Sequence, residues 1–258
     1  MGRVSRVGGV GRTLLTLAAI AVTAAVVHAQ KAPLRVIASN GVKTLVEALV
    51  PAYEKSSGRT VAVTYCTSSV LVKDIAGGTG FDVVIATADA IDQISKTGRI
   101  TTEPPTRIGL SVVGVGVRQG ARKPGIATPA EMKQALLDAK AVTYAGNGAS
   151  RPHIEAMFAS LGIADAVKGK ALLEVGSDGS IARMNKGDAD LLLTLVSEII
   201  PAPGIELVGP LPTEFRSEVR FAAAVSATTA ETAAARALVA SLVSREATPI
   251  LREKGLER

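Results

Sequence analysis

The sequence predicts an α/β protein of two lobes, each a mostly parallel sheet flanked by helices, with a cleft between the lobes. Three observations predict this fold class. Short β-branched runs alternate with helical patterns along the chain, as in βαβ units. Hydrophobic residues make up 47% of the 258 residues but aromatic residues only 3%, so the core is built from aliphatic side chains. One long apolar run, 107–118, interrupts the alternation, and a strand passing between two lobes would explain it.

The first 29 residues are predicted to be a secretory signal peptide. Three arginines precede an apolar run at 13–27, which is shorter than the roughly 20 residues that a membrane-spanning helix needs. Small residues at the −3 and −1 positions place cleavage after Ala29 and favour it over an uncleaved anchor. No Cys follows the run, which argues against a lipoprotein. We therefore expect a periplasmic protein.

Charge and composition argue against a nucleic-acid-binding protein. The leader holds three of the basic residues and no acid, so the formal charge of +6 becomes +3 without it. The other Lys and Arg residues are scattered, and exposed aromatic stacking platforms are not to be expected from so few rings. A mildly basic protein of this kind can attract a small anion.

The sequence predicts no metal or other cofactor. Cys66 is the only cysteine, and His153 is the only histidine beyond the leader, which argues against a zinc or iron–sulfur site. A catalytic pair of Cys66 and His153 is conceivable. However, Cys66 ends an apolar strand-like run, so we expect it to be a small buried hydrophobe.

Polar residues follow each of the first three predicted strands, 34–38, 60–66 and 81–86. Ligands of open α/β sheets bind outside the carboxyl ends of the strands, where helix N-termini offer free N–H groups to an anion. The same residue types are also the commonest helix N-caps. Their repetition at one end of a sheet favours a shared site. The candidates are Ser39 and Asn40, then Thr67, Ser68 and Ser69, then Thr87.

The 107–118 run has two readings. Its glycines would suit a flexible crossing between lobes, or a buried strand whose backbone is closely packed. We place the first lobe at 30–112, the second at 113–217, and a return segment to the first lobe at 218–258.

A second set of strands and helices follows the crossing. Prolines and a glycine mark a connection at 201–212, and Ser177 or Ser180 is expected to open the helix before Gly187. The predicted strands are 141–145, 171–175, 189–196 and 218–226; the predicted helices are 128–139, a helix to about 161, 177–187, 229–243 and 246–254.

The loop at 144–157 (YAGNGASRPHIEAM) holds a concentration of polar groups just before a helix. Asn147 and Ser150 can bind or cap, and Arg151 and His153 follow. A guanidinium suits a carboxylate through bidentate hydrogen bonds. Each of these residues also has an ordinary role as a solvated or capping side chain.

The runs VIASNGVKTLVEALVPAYEKSSG, TVAVTYCTSSVLVKDIAGG and FDVVIATAD, followed by KGDADLLLTLVSEI and IELVGPLP, resemble the periplasmic molybdate-binding proteins. These are type II solute-binding proteins of ABC importers. The resemblance implies two lobes that close over an oxyanion and deliver it to an importer permease. It also implies that hydroxyl and backbone N–H groups at Ser39 and at 67–69 hold the ligand. Nothing in the sequence suggests more than a monomer.

Two departures from the molybdate-binding pattern point to a neighbouring branch. Leu195 stands where those proteins usually place a tyrosine, and Arg151, His153 and Arg183 would suit a carboxylate. The stretches RIGLSVVGVGVRQGARKPGIATPAEMKQALLDAKAVTYA and SEIIPAPGIELVGPLPTEF are similar to aconitate isomerases. That similarity implies an allylic proton shift without a redox cofactor, with His153 or Glu198 as the proton carrier.

Three functions remain open from the sequence: an anion-binding protein of an importer, a cofactor-independent isomerase, and a sensor lobe that partners a membrane receptor. We favour the binding protein because it needs only helix caps, a cleft and a hinge. The isomerase is the alternative.

Overall fold

The computed structural model describes residues 31–258, so the predicted signal peptide lies outside the described residues. Within this range the predicted alternation of strands and helices is present. Its strands are β1 (Leu34–Ser39), β2 (Val61–Cys66), β3 (Val83–Thr87), β4 (Thr106–Arg118), β5 (Val142–Ala145), β6 (Ala171–Glu174), β7 (Leu191–Leu195), β8 (Ile205–Pro210) and β9 (Glu218–Val225).

The helices lie between the strands and after the last one. They are α1 (Lys43–Ser57), α2 (Ser68–Ala76), α3 (Ala88–Ser95), α4 (Pro129–Asp138), α5 (Arg151–Ser160), α6 (Ala164–Lys168), α7 (Gly176–Lys186), α8 (Val196–Ile199), α9 (Thr232–Leu242) and α10 (Ala247–Glu253). Short 3₁₀ turns lie at Asn40–Val42 and Thr213–Phe215. No helix among residues 31–258 is long and apolar enough to cross a membrane.

The strands form two groups that share β4. The first has the order β2-β1-β3-β9-β4 and the second the order β8-β4-β7-β5-β6. In the first group only β9 runs against the others, and in the second only β4 does. Each sheet is therefore mostly parallel, and the predicted two-lobed α/β fold class is confirmed.

Strand β4 changes partners in its middle. Residues 106–112 pair with β9, whereas residues 113–118 pair with β7 and β8. The chain crosses back between β8 and β9, since these strands belong to different groups. The lobe boundaries at 112/113 and 217/218 remain a prediction, and this change of partners supports them.

The glycines of β4 lie where neighbouring groups come close. A Cβ on Gly109 would lie 2.7 Å from the Glu257 carbonyl oxygen, and one on Gly114 would lie 2.9 Å from a Val196 methyl. Neither glycine has a positive φ. Close packing of the backbone therefore explains these glycines without any need for conformational freedom.

Strand β8 and helix α8 were missed by the sequence analysis. β8 falls in the predicted connection, where prolines argued against a strand. It pairs only with β4, and a strand at the edge of a sheet tolerates Pro210 at its end because one side of it needs no ladder hydrogen bonds. α8 takes up the last residue of the predicted 189–196 strand and turns the chain at the end of β7.

Two helices end at glycines. Gly58 ends α1 and Gly187 ends α7, both in the left-handed conformation, with φ of 67° and 83°. Only glycine adopts this conformation without a steric penalty. The predicted helix end at Gly187 is confirmed.

Cys66 is half-buried and packs against a core cluster beneath α2 and α3, whose members include Phe81 and Ile91. Burial raises the pKa of its thiol, and the charge of Asp74 adds to the rise. A raised pKa disfavours the thiolate, so the environment of Cys66 suits packing better than nucleophilic chemistry.

Candidate functional site

Two adjacent cavities lie at the carboxyl ends of the parallel strands. The inner one, which we call the chamber, has a volume of about 20 Å³, and the outer one, the groove, about 650 Å³. Ser68, Gly148 and Ala149 line both. The chamber walls come from the ends of β1, β2, β5 and β7 and from the start of α7. This is the location that the strand-end argument predicted.

Hydroxyl groups at the ends of β1 and β2 face the chamber. Ser68 Oγ donates to Ser39 Oγ at 3.1 Å, and both side chains are buried. Ser68 Oγ also accepts a bond from the Thr87 N–H at 3.3 Å. The three predicted strand ends are thus tied together through one hydroxyl.

Two of these polar residues stand at helix N-caps without capping the helix through their side chains. Ser39 precedes the 3₁₀ turn and Thr67 precedes α2, yet neither side chain bonds to the backbone of the following turn. By contrast, Thr87 caps α3 by accepting from the Ala90 N–H, and Thr128 caps α4. A capping role therefore accounts for Thr87 and Thr128 but does not account for Ser39 and Thr67.

Asn147 joins the loops of the two sheets. Its Nδ2 donates to Thr67 Oγ1 at 3.3 Å, and its backbone carbonyl oxygen accepts from Ser69 Oγ at 3.1 Å. Its Oδ1 accepts from the Gly176 N–H at 2.9 Å. Gly176 has a φ of 73°, which glycine adopts most easily. Asn147 is therefore a clasp that connects the ends of β2, β5 and β6.

Glu198 lies in the chamber wall beside Ser177. Its Oε1 accepts from Ser177 Oγ at 3.0 Å, and its Oε2 accepts from Thr194 Oγ1 and, at 3.4 Å, from the Leu195 N–H. It keeps a small accessible surface at the chamber and is otherwise enclosed by protein.

The Glu198 carboxyl holds its proton more tightly than an exposed glutamate does. Burial raises its pKa, since a charge in an enclosed site loses its hydration. The negative charge of Asp178 acts in the same direction. The bonds from Thr194, Ser177 and the Leu195 N–H oppose the rise but do not cancel it.

The groove carries the basic groups that the chamber lacks. His153 lines it beside Pro152 at the start of α5, and Arg220 lines it from β9. Arg220 Nη2 donates to Glu218 Oε2 at 2.5 Å. The chamber, in contrast, is lined by no lysine or arginine; its lining residues are Ser39, Asn40, Gly41, Thr67, Ser68, Ala145, Gly148, Ala149, Ser177, Leu195 and Glu198.

The structure brings together most of the residues that the sequence singled out. Ser39, Asn40, Thr67, Ser68 and Glu198 line the chamber, and Ser69, Thr87, Asn147 and His153 line the groove, which Ser68 shares. Ser150 is buried at the start of α5 but lines neither cavity.

Two predicted ligand-binding arginines lie outside both cavities. Arg151 Nε donates to Glu155 Oε1 at 2.8 Å and its Nη1 donates to the Gly146 carbonyl oxygen at 2.5 Å. Arg183 Nε donates to Glu174 Oε1 at 2.5 Å, and its Nη1 donates to Asp188. Hydrogen bonds to these carboxylates raise the pKa values of both guanidinium groups. The structure therefore does not place them at a ligand.

Ser177 was expected to open a helix and instead faces the chamber. α7 begins at Gly176, with Val175 at its N-cap, so Ser177 is already in the first turn and its hydroxyl turns to Glu198. Ser177 lies three residues after the end of β6, as Ser69 lies three residues after the end of β2, and this signal could have identified it. Glu218 and Arg220, on the returning strand, gave no comparable signal.

The donor set of the chamber suits an anion. It consists of hydroxyl groups, amides and the N-terminal turns of α2 and α7, where backbone N–H groups lack partners within the helix. In residues 31–258 no three His, Cys, Asp or Glu side chains come together in a group that could hold a metal ion.

The fold and the cleft together define a two-lobed solute-binding protein. The sequence profile of a family described as bacterial extracellular solute-binding protein matches residues 34–257. The chain belongs to this family, and the predicted resemblance to type II solute-binding proteins is confirmed.

Solved structures with this fold include oxyanion-binding proteins. The periplasmic molybdate-binding protein of Azotobacter vinelandii superposes with a TM-score of 0.73 at 16% identity, over 87% of this chain and 99% of that chain. The sulfate-binding protein of Mycobacterium tuberculosis superposes with a TM-score of 0.69 at 17% identity, over 87% and 86%. At these identities the likeness concerns the fold.

One curated relative is an enzyme. An aconitate isomerase of Pseudomonas sp is 26% identical over 229 residues, which cover 87% of each chain.

Proposed function

We propose that this protein is a periplasmic binding protein that captures a small anion, a molybdate-like oxyanion or a small carboxylate, in the cleft between its lobes. It then delivers the anion to the permease of an ABC importer. The observation that carries this proposal is the chamber: hydroxyl groups that do not cap their helices converge on it, and no cation lines it. Neutral donors of this kind suit an anion that must later be released.

The size of the chamber supports a closing motion. A volume of about 20 Å³ is enough for one water molecule and too small for an oxyanion of five atoms. An anion therefore needs the walls to separate, and the Asn147 clasp is the contact that has to open. Rotation of lobe II (113–217) relative to lobe I (30–112 and 218–258) would open it, with β4 as one of the two crossings.

The predicted signal peptide belongs to the same proposal. Export and removal of residues 1–29 would place the mature chain where its family works. Mass spectrometry of the protein exported from a bacterial host should give the mass of a chain that begins at Gln30.

Binding is tested by thermal unfolding of the mature protein with molybdate, tungstate, sulfate, citrate and trans-aconitate. An anion at a hundred times its Kd stabilises the folded state by about 2.7 kcal/mol, which corresponds to roughly 5–10 °C in a domain of this size. If none of these anions changes the melting temperature, the proposal is wrong.

The second candidate is an isomerase that moves the double bond of aconitate by an allylic proton shift. The curated isomerase relative favours it, and so does the position of two proton-carrying side chains, His153 and Glu198, on adjacent cavities. NMR of trans-aconitate with the wild type and with His153→Ala tests it. Conversion to the cis isomer, slowed at least tenfold by the substitution, would establish the enzyme; absence of conversion would exclude it.

A further inference from the structure

Ser177 and Glu198 form a hydrogen-bonded pair in the wall of the chamber. Both line the cavity, and the Ser177 hydroxyl donates to Glu198 Oε1 at 3.0 Å. As long as the carboxyl accepts this bond, the single hydrogen of the Ser177 hydroxyl is directed at Glu198 and cannot be donated to a ligand. The hydroxyl then presents only lone pairs to a bound anion.

An ionised Glu198 would oppose an anion in the chamber. Two negative charges at close range repel each other strongly in an enclosed site, and no lysine or arginine lines the chamber to offset them. The other carboxylate oxygen of Glu198, Oε2, does not reduce this repulsion. It already accepts hydrogen bonds from Thr194 and from the Leu195 N–H.

The groups around Glu198 do not supply a compensating positive charge. Of the elements packed against α8, β7 and the 3₁₀ turn at Asn40–Val42 carry no titratable side chain. β4 carries Arg107 and Arg118 near its two ends, and Glu206 of β8 pairs with Lys123. Across the Ser177 bond, α7 carries Asp178, Arg183 and Lys186; Asp178 is the one whose charge acts on Glu198, and Arg183 is engaged by Glu174 and Asp188.

We propose that Glu198 takes up one proton from solvent when an anion enters the chamber, so that binding is coupled to protonation. The protonated carboxyl donates to Ser177 Oγ, the Ser177 hydroxyl turns its hydrogen into the chamber, and the anion accepts it. No covalent bond other than the new O–H bond forms. This inference rests on the proposed anion-binding function and assigns the regulation of that same site.

The chemistry of the enclosed carboxyl supports this coupling. Burial and the charge of Asp178 already raise its pKa in the empty protein, and a bound anion adds a further negative charge nearby. The affinity for the anion should accordingly fall as pH rises, by up to about tenfold per pH unit once the empty protein is ionised.

The proton count is measured by isothermal titration calorimetry with sulfate and molybdate in buffers that differ in ionisation enthalpy. Both anions are fully ionised between about pH 6 and pH 8, so a proton taken up there belongs to the protein. We expect an uptake approaching one proton per bound anion above the pKa of the empty protein.

Two variants assign the proton. Glu198→Gln presents a permanent donor to Ser177, so it should bind the anion without proton uptake and with an affinity independent of pH. His153 lines the adjoining groove, so His153→Gln is the matched control and should keep the uptake. If Glu198→Gln fails to fold, the wild type and His153→Gln still decide the question.

The outcomes separate this inference from the proposed function. If the anion binds and no proton is taken up at any pH between about 6 and 8, the coupling is wrong and the proposed anion-binding function stands. Uptake that disappears in His153→Gln overturns it as well, because the acceptor is then the histidine. Absence of anion binding at every pH removes both.

Discussion

Ser68 donates to Ser39 at 3.1 Å, Oγ to Oγ, and the two residues come from neighbouring parallel strand ends that are 29 positions apart in the chain. The bond holds two hydroxyl groups at the entrance to one chamber. Neither is needed to cap a helix through its side chain, since the helical turn after Ser39 and helix α2 lack such bonds. The pair is therefore the part of the cleft whose chemistry is best explained by a ligand.

Replacing either hydroxyl should weaken anion binding. Ser39→Ala removes a neutral donor to a charged ligand, and Ser68→Ala removes the hydroxyl that holds this donor in place. Each loss should cost about 1.5–3 kcal/mol, or roughly ten- to a hundredfold in Kd. Calorimetric titration with the anion that stabilises the wild type measures the effect. Ser56→Ala, on the exposed end of α1, serves as the control and should bind like the wild type. Equal affinities in all four proteins would show that the pair does not contact the ligand.

The arginines should differ in their effect on carboxylate ligands. Arg220 lines the groove, so Arg220→Ala should weaken binding of citrate or aconitate by about fivefold, as for one partly exposed charged contact. Binding of sulfate, which the chamber can hold once its walls have separated and which does not reach into the groove, should not change.

Arg183→Ala is the matched control for the Arg220 variant. Its guanidinium is held by Glu174 and Asp188 outside both cavities, so neither type of anion should be affected. A loss of citrate binding in this variant, with Arg220→Ala unchanged, would reverse the assignment and restore the role that the sequence suggested for Arg183.

Much of this cleft was predictable, and the failures have physical reasons. The strand ends at Ser39, Thr67 and Thr87 were identified because a parallel sheet brings its carboxyl ends together. Arg151 was assigned to the ligand because a sequence does not show which carboxylate a guanidinium meets. In that case the partner, Glu155, lies one helical turn away and the spacing was a usable signal.

Other features depend on contacts that are distant in sequence. Arg183 meets Glu174 across the turn between β6 and α7, and Ser177 meets Glu198 from a different strand end. Strand β8 forms because it pairs with the free edge of β4, and this pairing compensates for the unfavourable prolines around it. Local propensity carries no information on such pairings.

The free energy of unfolding should decrease as pH rises, because the folded protein retains the proton of the Glu198 carboxyl. Its pKa is raised by burial in the folded protein, so above the ordinary glutamate pKa the unfolded chain releases this proton while the folded chain retains it. The folded state is then favoured less as pH rises, until the raised pKa is passed. Urea unfolding of the wild type and Glu198→Gln from about pH 4 to pH 8 should show the variant gaining relative stability with pH. A constant difference between them would mean that this carboxyl does not titrate abnormally.

Asp82 should have the opposite pH dependence. Although burial alone would raise its pKa, bonds from the Arg35 N–H, from Thr229 and from the Arg35 guanidinium lower it overall. The ionised Asp82 carboxylate therefore stabilises the folded state fully above the ordinary aspartate pKa. This stabilisation is lost as pH falls through the lower pKa that Asp82 has in the folded protein. Asp82→Asn should cost about 1–3 kcal/mol near neutral pH and less in acid.

The control for Asp82 is the exposed Asp92 of α3, whose Asn variant should have the stability of the wild type throughout. Denaturation midpoints at a series of pH values distinguish the two variants. A cost for Asp82→Asn that does not shrink in acid would show that the lost contacts, and not the charge, matter.

The shared strand β4 sets how this molecule can move. Gly109 and Gly114 of β4 lie in close contact with Glu257 and Val196, so the strand cannot lengthen or bend at those points without a steric clash. One continuous strand belongs to both sheets, and a change in their mutual angle must be absorbed as torsion where its partners change, between Val112 and Val113. Sliding of one sheet past the other would have to break the pairing of β4 with its partners, so we expect any relative motion of the sheets to be a rotation at this point of β4.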